Sequence, residues 1–176
     1  EKVVPATCRG ALDLLIEELA VGEVYDLQER YGLLFDRSKT LALHLFEHVH
    51  GESRDRGQAM VDLKAMYEKA DMFIAANELP DYVPLFLEFL STQPLAEARE
   101  LLGQTAHIFA ALAERLERRQ SNYRAVFDAL VAISAAAPSR EIVDEQLKGI
   151  DPYPIDLEAL DAAWEEEEVR FGPGSQ

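Results

Sequence analysis

The sequence predicts an all-α protein, folded as a single-domain bundle of about seven or eight helices. Apolar residues recur at spacings of three and four along most of the chain, and strand-like alternation is almost absent. With 176 residues, 48% of them hydrophobic, the chain is long enough to bury one core. No long Gly-, Ser- or Pro-rich linker divides it. We therefore expect one domain over residues 1–176, with loose ends at 1–10 and 172–176.

The first predicted helix carries an apolar stripe whose members share one face: Leu12, Leu15, Ile16 and Leu19. The second predicted helix runs from Leu41 to His48 and is apolar almost all round. A helix of this kind is usually central and buried. We expect Asp36 or Ser38 to cap its start and Gly51 to end it.

The third helix is predicted from Met60, Leu63 and Tyr67. The fourth covers Tyr82 to Leu90, with Asp81 as its expected N-cap and Pro84 in its first turn. Two apolar stripes, rotated from each other, run along this fourth helix. The first comprises Val83, Phe86, Leu87 and Leu90, and the second comprises Tyr82, Leu85, Phe86 and Phe89.

One stripe of the fourth helix is expected to face the core. The other indicates either an apolar groove for a partner helix or a central helix covered on both sides. Only Glu88 interrupts the middle of the segment. If this carboxylate is buried it needs a cationic partner, and the candidates are Arg37, Arg54 and Arg56.

The remaining helices are predicted from their apolar stripes and from residues that favour helix ends. Pro94 starts the longest helix, whose stripe runs from Ala98 to Leu116, and Val126 to Val131 predict the next one. Ser139 is expected to cap a short helix that Gly149 ends. After the proline-containing loop 151–154, Asp156 is expected to cap a final helix that carries Leu157, Leu160 and Trp164. The acidic run 165–168 is interpreted as a solvated helix face.

Charge and cysteine content narrow the function classes. The 33 acidic and 17 basic side chains give a net charge of −16, which repels nucleic acid and anionic lipid and attracts basic partners. The single cysteine, Cys8, excludes an internal disulfide and favours the cytoplasm. Neither a signal peptide nor an apolar run long enough to span a bilayer is expected.

One short motif suggests metal chemistry. His44, Glu47 and His48 form an H-x-x-E-H pattern. On a helix, the two histidines would lie one turn apart and could bind zinc, and Glu47 could polarise a metal-bound water. The alternative is that these histidines form hydrogen bonds at a helix C-terminus. A metal-dependent hydrolase is therefore the second functional hypothesis, and the prediction itself is for no metal and no cofactor.

Three segments together have the character of a family signature: Leu33–Arg37 with Leu45–Leu63, then Glu78–Leu90, and more weakly Ala163–Glu167 with Val169 and Phe171. They resemble the NarJ family, the assembly chaperones of respiratory nitrate reductase, also called its delta subunit. The family's opening Leu-rich helix with its Tyr-Pro-Asp turn is not visible before Leu12, and its polar tail is missing after the tryptophan helix.

The resemblance implies an all-helical, non-enzymatic chaperone related to those of other molybdenum enzymes. It implies binding to the basic, amphipathic N-terminus of the apo catalytic subunit, which holds this subunit for molybdenum cofactor insertion and assembly before membrane docking. Molybdenum cofactor delivery proteins are a further expected partner class. Nucleic-acid binding and direct membrane insertion are not expected.

An acidic protein with a second apolar stripe suits such a client. The predicted peptide-binding residues are Leu43, Phe46, Glu47, Asp81, Tyr82, Leu85, Phe86, Glu88 and Phe89. The apolar members would contact the client's apolar face, and the carboxylates would pair with its Arg or Lys side chains. A third hypothesis is a helical adaptor that uses only its acidic surface.

Overall fold

The computed structural model describes residues 3–49, 54–74 and 78–148, and these ranges contain seven α-helices and no strand. The predicted all-α class is confirmed. The helices are α1 (Ala6–Val21), α2 (Val24–Tyr31), α3 (Arg54–Lys69), α4 (Val83–Thr92), α5 (Leu95–Arg118), α6 (Arg124–Ile133) and α7 (Arg140–Leu147). The predicted final helix, the acidic run 165–168, the third family segment, Gly149 and the end 172–176 lie outside the described residues. Within the described ranges, no helix combines the length and apolar character needed to cross a membrane.

The long helix α5 lies at the centre of the fold. It packs against α6, α7 and α4, and its predicted stripe is buried. The fully buried positions include Ala106, Phe109, Leu112 and Leu116. Because these residues recur at intervals of three and four, one face of the helix enters the core along most of its length.

The first helix begins at Ala6, so residues 6–10, which were expected to be loose, are helical. Pro5 occupies the N-cap position, and the guanidinium of Arg9 donates two hydrogen bonds to the carbonyl oxygen of Val4. These bonds tie the preceding chain to the first turn. Of the predicted stripe on α1, only Leu15 is buried, and the helix packs on α6.

The helix α2 was not predicted, because its sequence is largely polar and carries no long apolar stripe. It continues into a π-helical turn over Gly32–Asp36 that buries Leu34 and Phe35. The rings of Tyr31, Phe35 and Tyr123 pack together there, with centroids 5.0 to 6.1 Å apart. This aromatic cluster connects α2 to the start of α6.

The predicted buried helix from Leu41 to His48 is wrong. The chain forms two short 3-10 turns, Lys39–Leu41 and Leu45–Glu47, and Ala42 and His44 between them adopt extended backbone angles. Leu41 and Leu45 are nevertheless buried. The segment is apolar because part of it lies in the core. Its local backbone hydrogen bonds are those of 3-10 turns, and two further bonds, from Leu45 N–H to Asp81 and from Val83 N–H to Leu43, join it to the start of α4.

Candidate peptide-binding site

The structure brings together two of the sequence segments in which client contacts were predicted. The backbone N–H of Leu45 donates to the carbonyl oxygen of Asp81 at 3.0 Å, and that of Val83 donates to Leu43 at 2.9 Å. His44 and Tyr82 form an isolated antiparallel bridge, with their rings 5.5 Å apart. The segment 43–47 and the start of α4 therefore form one surface.

Asp81 lies beneath this surface rather than on it. Its carboxylate is completely buried and accepts hydrogen bonds from the Phe46 backbone N–H, at 3.0 Å, and from His44 Nδ1, at 3.2 Å. Tyr82 rather than Asp81 occupies the N-cap position of α4. The predicted N-cap role of Asp81 is therefore corrected, and so is its role as a partner for client Arg or Lys, because its oxygens are already used inside the protein.

Both apolar stripes of α4 contribute to the core. Val83, Phe86, Phe89 and Leu90 are each at most 5% exposed, and the ring of Phe89 packs on Tyr67 at 4.8 Å. Phe86 and Phe89 are thus corrected from client contacts to core residues. The alternative of a central helix covered on more than one side fits this part of α4 better than a groove does.

Four predicted apolar residues remain accessible: Leu43, Phe46, Tyr82 and Leu85 are all half-buried. We call these four residues the Tyr82 patch. Leu43, Phe46 and Leu85 pack against the core with one side, so their conformations are constrained before any partner arrives. This constraint lowers the entropic cost of using them as a contact surface.

Two carboxylates accompany the Tyr82 patch. Glu47 is half-buried and lies 3.6 Å from the guanidinium of Arg56. Glu88, one turn after Leu85, is exposed. Its exposure removes the need for a buried cationic partner that was considered for it, and Arg56 pairs with Glu47 instead.

The histidines of the H-x-x-E-H pattern do not meet as a metal site. His44 is paired with Asp81, whereas Nε2 of His48 hydrogen-bonds with the carbonyl oxygen of Ala42 at 2.8 Å. His44 has extended backbone angles and residues 45–47 form a 3-10 turn, whereas the motif requires an α-helical turn. Burial lowers the pKa of His48 below its usual 6.5, and the nearby Arg115 acts in the same direction. No group of three or more potential ligands is placed to hold a metal among the residues that the structure describes.

Sequence reasoning missed two features of the structure. The first is the aromatic cluster of Tyr31, Phe35 and Tyr123 at the end of α2; burial raises the pKa of Tyr31, and Tyr82 acts in the same direction. Arg115 is 5% exposed and donates to the carbonyl oxygens of Thr40 and Gln146. An arginine on the apolar side of α5 was the one available signal for the second feature, since a buried cation requires such partners.

Comparisons with known proteins agree with the sequence resemblance. Residues 1–129 match the family model described as nitrate reductase delta subunit. The chain is 44% identical, over 172 residues, to the nitrate reductase molybdenum cofactor assembly chaperone NarJ of Escherichia coli K12, covering 97% of this chain and 72% of that protein. It is 47% identical over 146 residues to the probable chaperone NarW of the same organism, covering 83% of this chain and 63% of that protein.

A more distant relative is the probable assembly chaperone NarJ of Bacillus subtilis, 33% identical over 118 residues, which cover 67% of this chain and 64% of that protein. These relatives are described as chaperones rather than catalysts, in agreement with the predicted non-enzymatic role. The chain belongs to the nitrate reductase delta subunit family.

Proposed function

We propose that this protein is an assembly chaperone that binds the N-terminal segment of the apo catalytic subunit of a respiratory nitrate reductase. It holds that subunit while the molybdenum cofactor is inserted, and it delays docking at the membrane until insertion is complete. The family supports the chaperone class. The client segment and the order of these events are our proposal.

The observation that carries the proposal is the composition of the Tyr82 patch. Its four apolar side chains are half-buried, Glu88 is exposed one turn after Leu85 on α4, and Glu47 directly follows Phe46 in the sequence. A helix with an apolar face and flanking Arg or Lys side chains complements such a surface, because its apolar face can cover the apolar side chains and its cations can pair with the carboxylates. Client cations would pair with Glu88 and compete with Arg56 for Glu47.

Apolar contact would supply most of the affinity. Each square ångström of apolar area removed from water contributes about 25 cal/mol before ordering costs are subtracted. The carboxylates would mainly set the orientation of the client and the rate of its association. The charge of −16 over the whole chain acts in the same sense at longer range.

The proposal is tested by calorimetric titration of the protein with a peptide from the first ~15 residues of the cognate catalytic subunit, a length sufficient for one amphipathic helix. We expect saturable 1:1 binding that Leu85→Ala weakens about 5- to 30-fold, because truncation removes roughly 1–2 kcal/mol of apolar contact. Leu95→Ala, at the exposed start of α5, is the matched control and should bind like the wild type.

Glu88→Lys provides a second variant with little risk to the fold, because Glu88 is exposed. It should weaken the peptide through charge repulsion while leaving thermal stability nearly unchanged. Undiminished affinity in both Leu85→Ala and Glu88→Lys would remove the Tyr82 patch as the site, and a folded protein that binds no peptide would remove the proposed client.

A further inference from the structure

The ring of His44 reaches from the buried carboxylate of Asp81 to the protein surface. Its Nδ1 hydrogen-bonds with Asp81 at 3.2 Å, and 26% of the His44 side chain is exposed. Among the residues that the structure describes, no hydrogen bond reaches the other ring nitrogen, Nε2, and Nε2 is not one of their buried nitrogens that lack a partner. It is therefore accessible to a ligand from the solvent.

The bond to Asp81 determines what Nε2 can do. A carboxylate only accepts hydrogen bonds, so Nδ1 of the neutral ring carries the proton and donates it. The second oxygen of Asp81 accepts from the Phe46 N–H at 3.0 Å, which holds the carboxylate in place. Nε2 of the neutral ring is thus left as an acceptor, and its lone pair is directed away from Asp81.

His44 lies on the same surface as the Tyr82 patch. It forms an antiparallel bridge with Tyr82, and the centroids of the two rings are 5.5 Å apart. Residues that lie directly opposite each other in an antiparallel pair place their side chains on the same side. A ligand that covers the ring of Tyr82 is therefore within reach of Nε2 of His44.

Charge indicates which ligand group this acceptor receives. Glu47, three residues after His44, is half-buried, and the chain has a net charge of −16, so an anion would be repelled. Arg and Lys side chains carry several N–H donors and no acceptor, and the aromatic ring of Tyr82 attracts a cation to the same place. A metal ion is disfavoured, because no group of three or more potential ligands occurs in the described part of the chain.

We infer that His44 is a further client-binding residue, whose Nε2 accepts a hydrogen bond from one Arg or Lys side chain of the client. Asp81 is its positioning residue, because the bond to Nδ1 leaves Nε2 as the acceptor. This inference rests on the proposed function. The attraction of a surface carboxylate acts over a distance, whereas a hydrogen bond to a fixed ring nitrogen requires the donor at one position. His44 therefore selects clients whose basic residue lies at that position along the helix.

Two substitutions separate client binding from a structural role in the same peptide titration. His44→Asn keeps an N–H near the position of Nδ1, where it can donate to Asp81, and removes the outward acceptor. His44→Gln loses the bond to Asp81 but keeps an oxygen near the position of Nε2. We expect His44→Asn to weaken the peptide about 5- to 10-fold and His44→Gln by no more than about threefold, although His44→Gln should have the lower thermal midpoint. His107→Asn, at a half-buried histidine of α5, is the control and should bind like the wild type.

A double-mutant cycle identifies the client group. Each Arg or Lys of the peptide is replaced by Ala in turn, and each peptide is titrated against the wild type and His44→Asn. One replacement should weaken binding to the wild type about fivefold and leave binding to His44→Asn nearly unchanged. In ¹⁵N NMR of the wild type, the peptide should shift Nε2 of His44, whereas Nε2 of His48, which is bonded to Ala42 inside the protein, should not move.

Three results would overturn the inference: affinities that follow the thermal midpoints of the two His44 variants, equal responses of both proteins to every peptide replacement, or an Nε2 signal of His44 that ignores the bound peptide. The NMR measurement needs no variant, so it decides the matter even if a substitution prevents folding. If Leu85→Ala still weakens the peptide in any of these cases, the proposed function stands without His44. Absence of any peptide binding by folded protein defeats both.

Discussion

The buried carboxylate of Asp81 fixes the conformation of residues 43–47, a segment that forms no α-helix. Its carboxylate holds the Phe46 N–H and the ring of His44, which keeps residues 43–47 against the start of α4. Sequence reasoning identified Asp81 as important but assigned it to a helix cap and a client contact. The distance of 35 residues between Asp81 and Phe46 explains the error, because local patterns do not report tertiary partners.

We predict that Asp81→Ala lowers the free energy of unfolding by about 1–3 kcal/mol, because the Phe46 N–H loses its acceptor in a buried site. Asp81→Asn keeps one acceptor oxygen and should lose less. Urea denaturation followed by circular dichroism measures both values. Equal stability of Asp81→Ala and the wild type would show that the carboxylate contributes no net stabilisation there.

A second residue-scale prediction concerns pH. The pKa of His48 is lowered in the folded state, first by burial. Above pH 6.5 the ring is neutral in both states, and below it only the unfolded chain gains a proton, so stability falls as the pH falls toward the lower folded pKa. His107, whose pKa is lowered by burial too, acts in the same direction.

His48→Gln keeps a donor for the carbonyl of Ala42 and removes this titration. Its free energy of unfolding should therefore fall less than that of the wild type between pH 7 and pH 5, measured by urea titration at each pH. Parallel pH profiles for the two proteins would exclude a contribution from His48.

The end of α5 holds a residue in an unfavourable conformation. Gln120 has a φ of 52°, in the left-handed region, directly after the last turn, and the Ser121 N–H bonds back to Leu116 at 3.0 Å. Glycine is preferred at such a position because it lacks a Cβ. Gln120→Gly should raise the free energy of unfolding by up to about 1 kcal/mol, whereas Gln120→Ala should not raise it. Differential scanning calorimetry of the two variants and the wild type measures this difference.

At the scale of elements, periodicity was reliable where a helix buries one face. The stripes of α1, α3, α5 and α6 predicted real helices, since a spacing of three and four reports a single covered side. Periodicity failed for Leu41 to His48, because this segment is apolar on every side and is partly buried without forming an α-helix. For α4 it could not separate core from surface, because both predicted stripes included Phe86.

The packing of α5 against the chain after α6 gives an element-scale prediction. A Cβ on Gly103 would lie 3.3 Å from atoms of Ala136, in a segment held by the bond from Ala135 N–H to Arg99 O. Gly103→Val should therefore destabilise the protein by about 1–3 kcal/mol. Gly57→Ala on α3, where a Cβ meets nothing within 4 Å, should instead add up to about 1 kcal/mol.

At the scale of the whole molecule, an excess of carboxylates coexists with a well-packed helical core. Apolar spacing predicted the helical core, and the net charge of −16 predicted an acidic protein that attracts basic partners. Neither could predict where a partner docks, because the carboxylates are distributed over several helices and the apolar patches emerge only on folding. The partial exposure of the Tyr82 patch is a property of the folded structure.

Salt should act on the two rate constants of peptide binding unequally. Raising the ionic strength from 0.01 M to 0.15 M shortens the Debye length from about 30 Å to about 8 Å. We expect slower association of a basic peptide and a nearly constant dissociation rate. Stopped-flow fluorescence of a labelled peptide measures both rate constants. A dissociation rate that responds as strongly as association would place the dominant ion pairs inside the contact.

The antiparallel bridge between His44 and Tyr82 has a consequence for hydrogen exchange. The amide protons of Leu45, Phe46 and Val83 are bonded across it, although the first two lie outside every α-helix. They should exchange together and far more slowly than other amides in irregular segments, since the bridge must open as a unit to release them. These three protons thus form an isotopic reporter of motion directly beneath the Tyr82 patch.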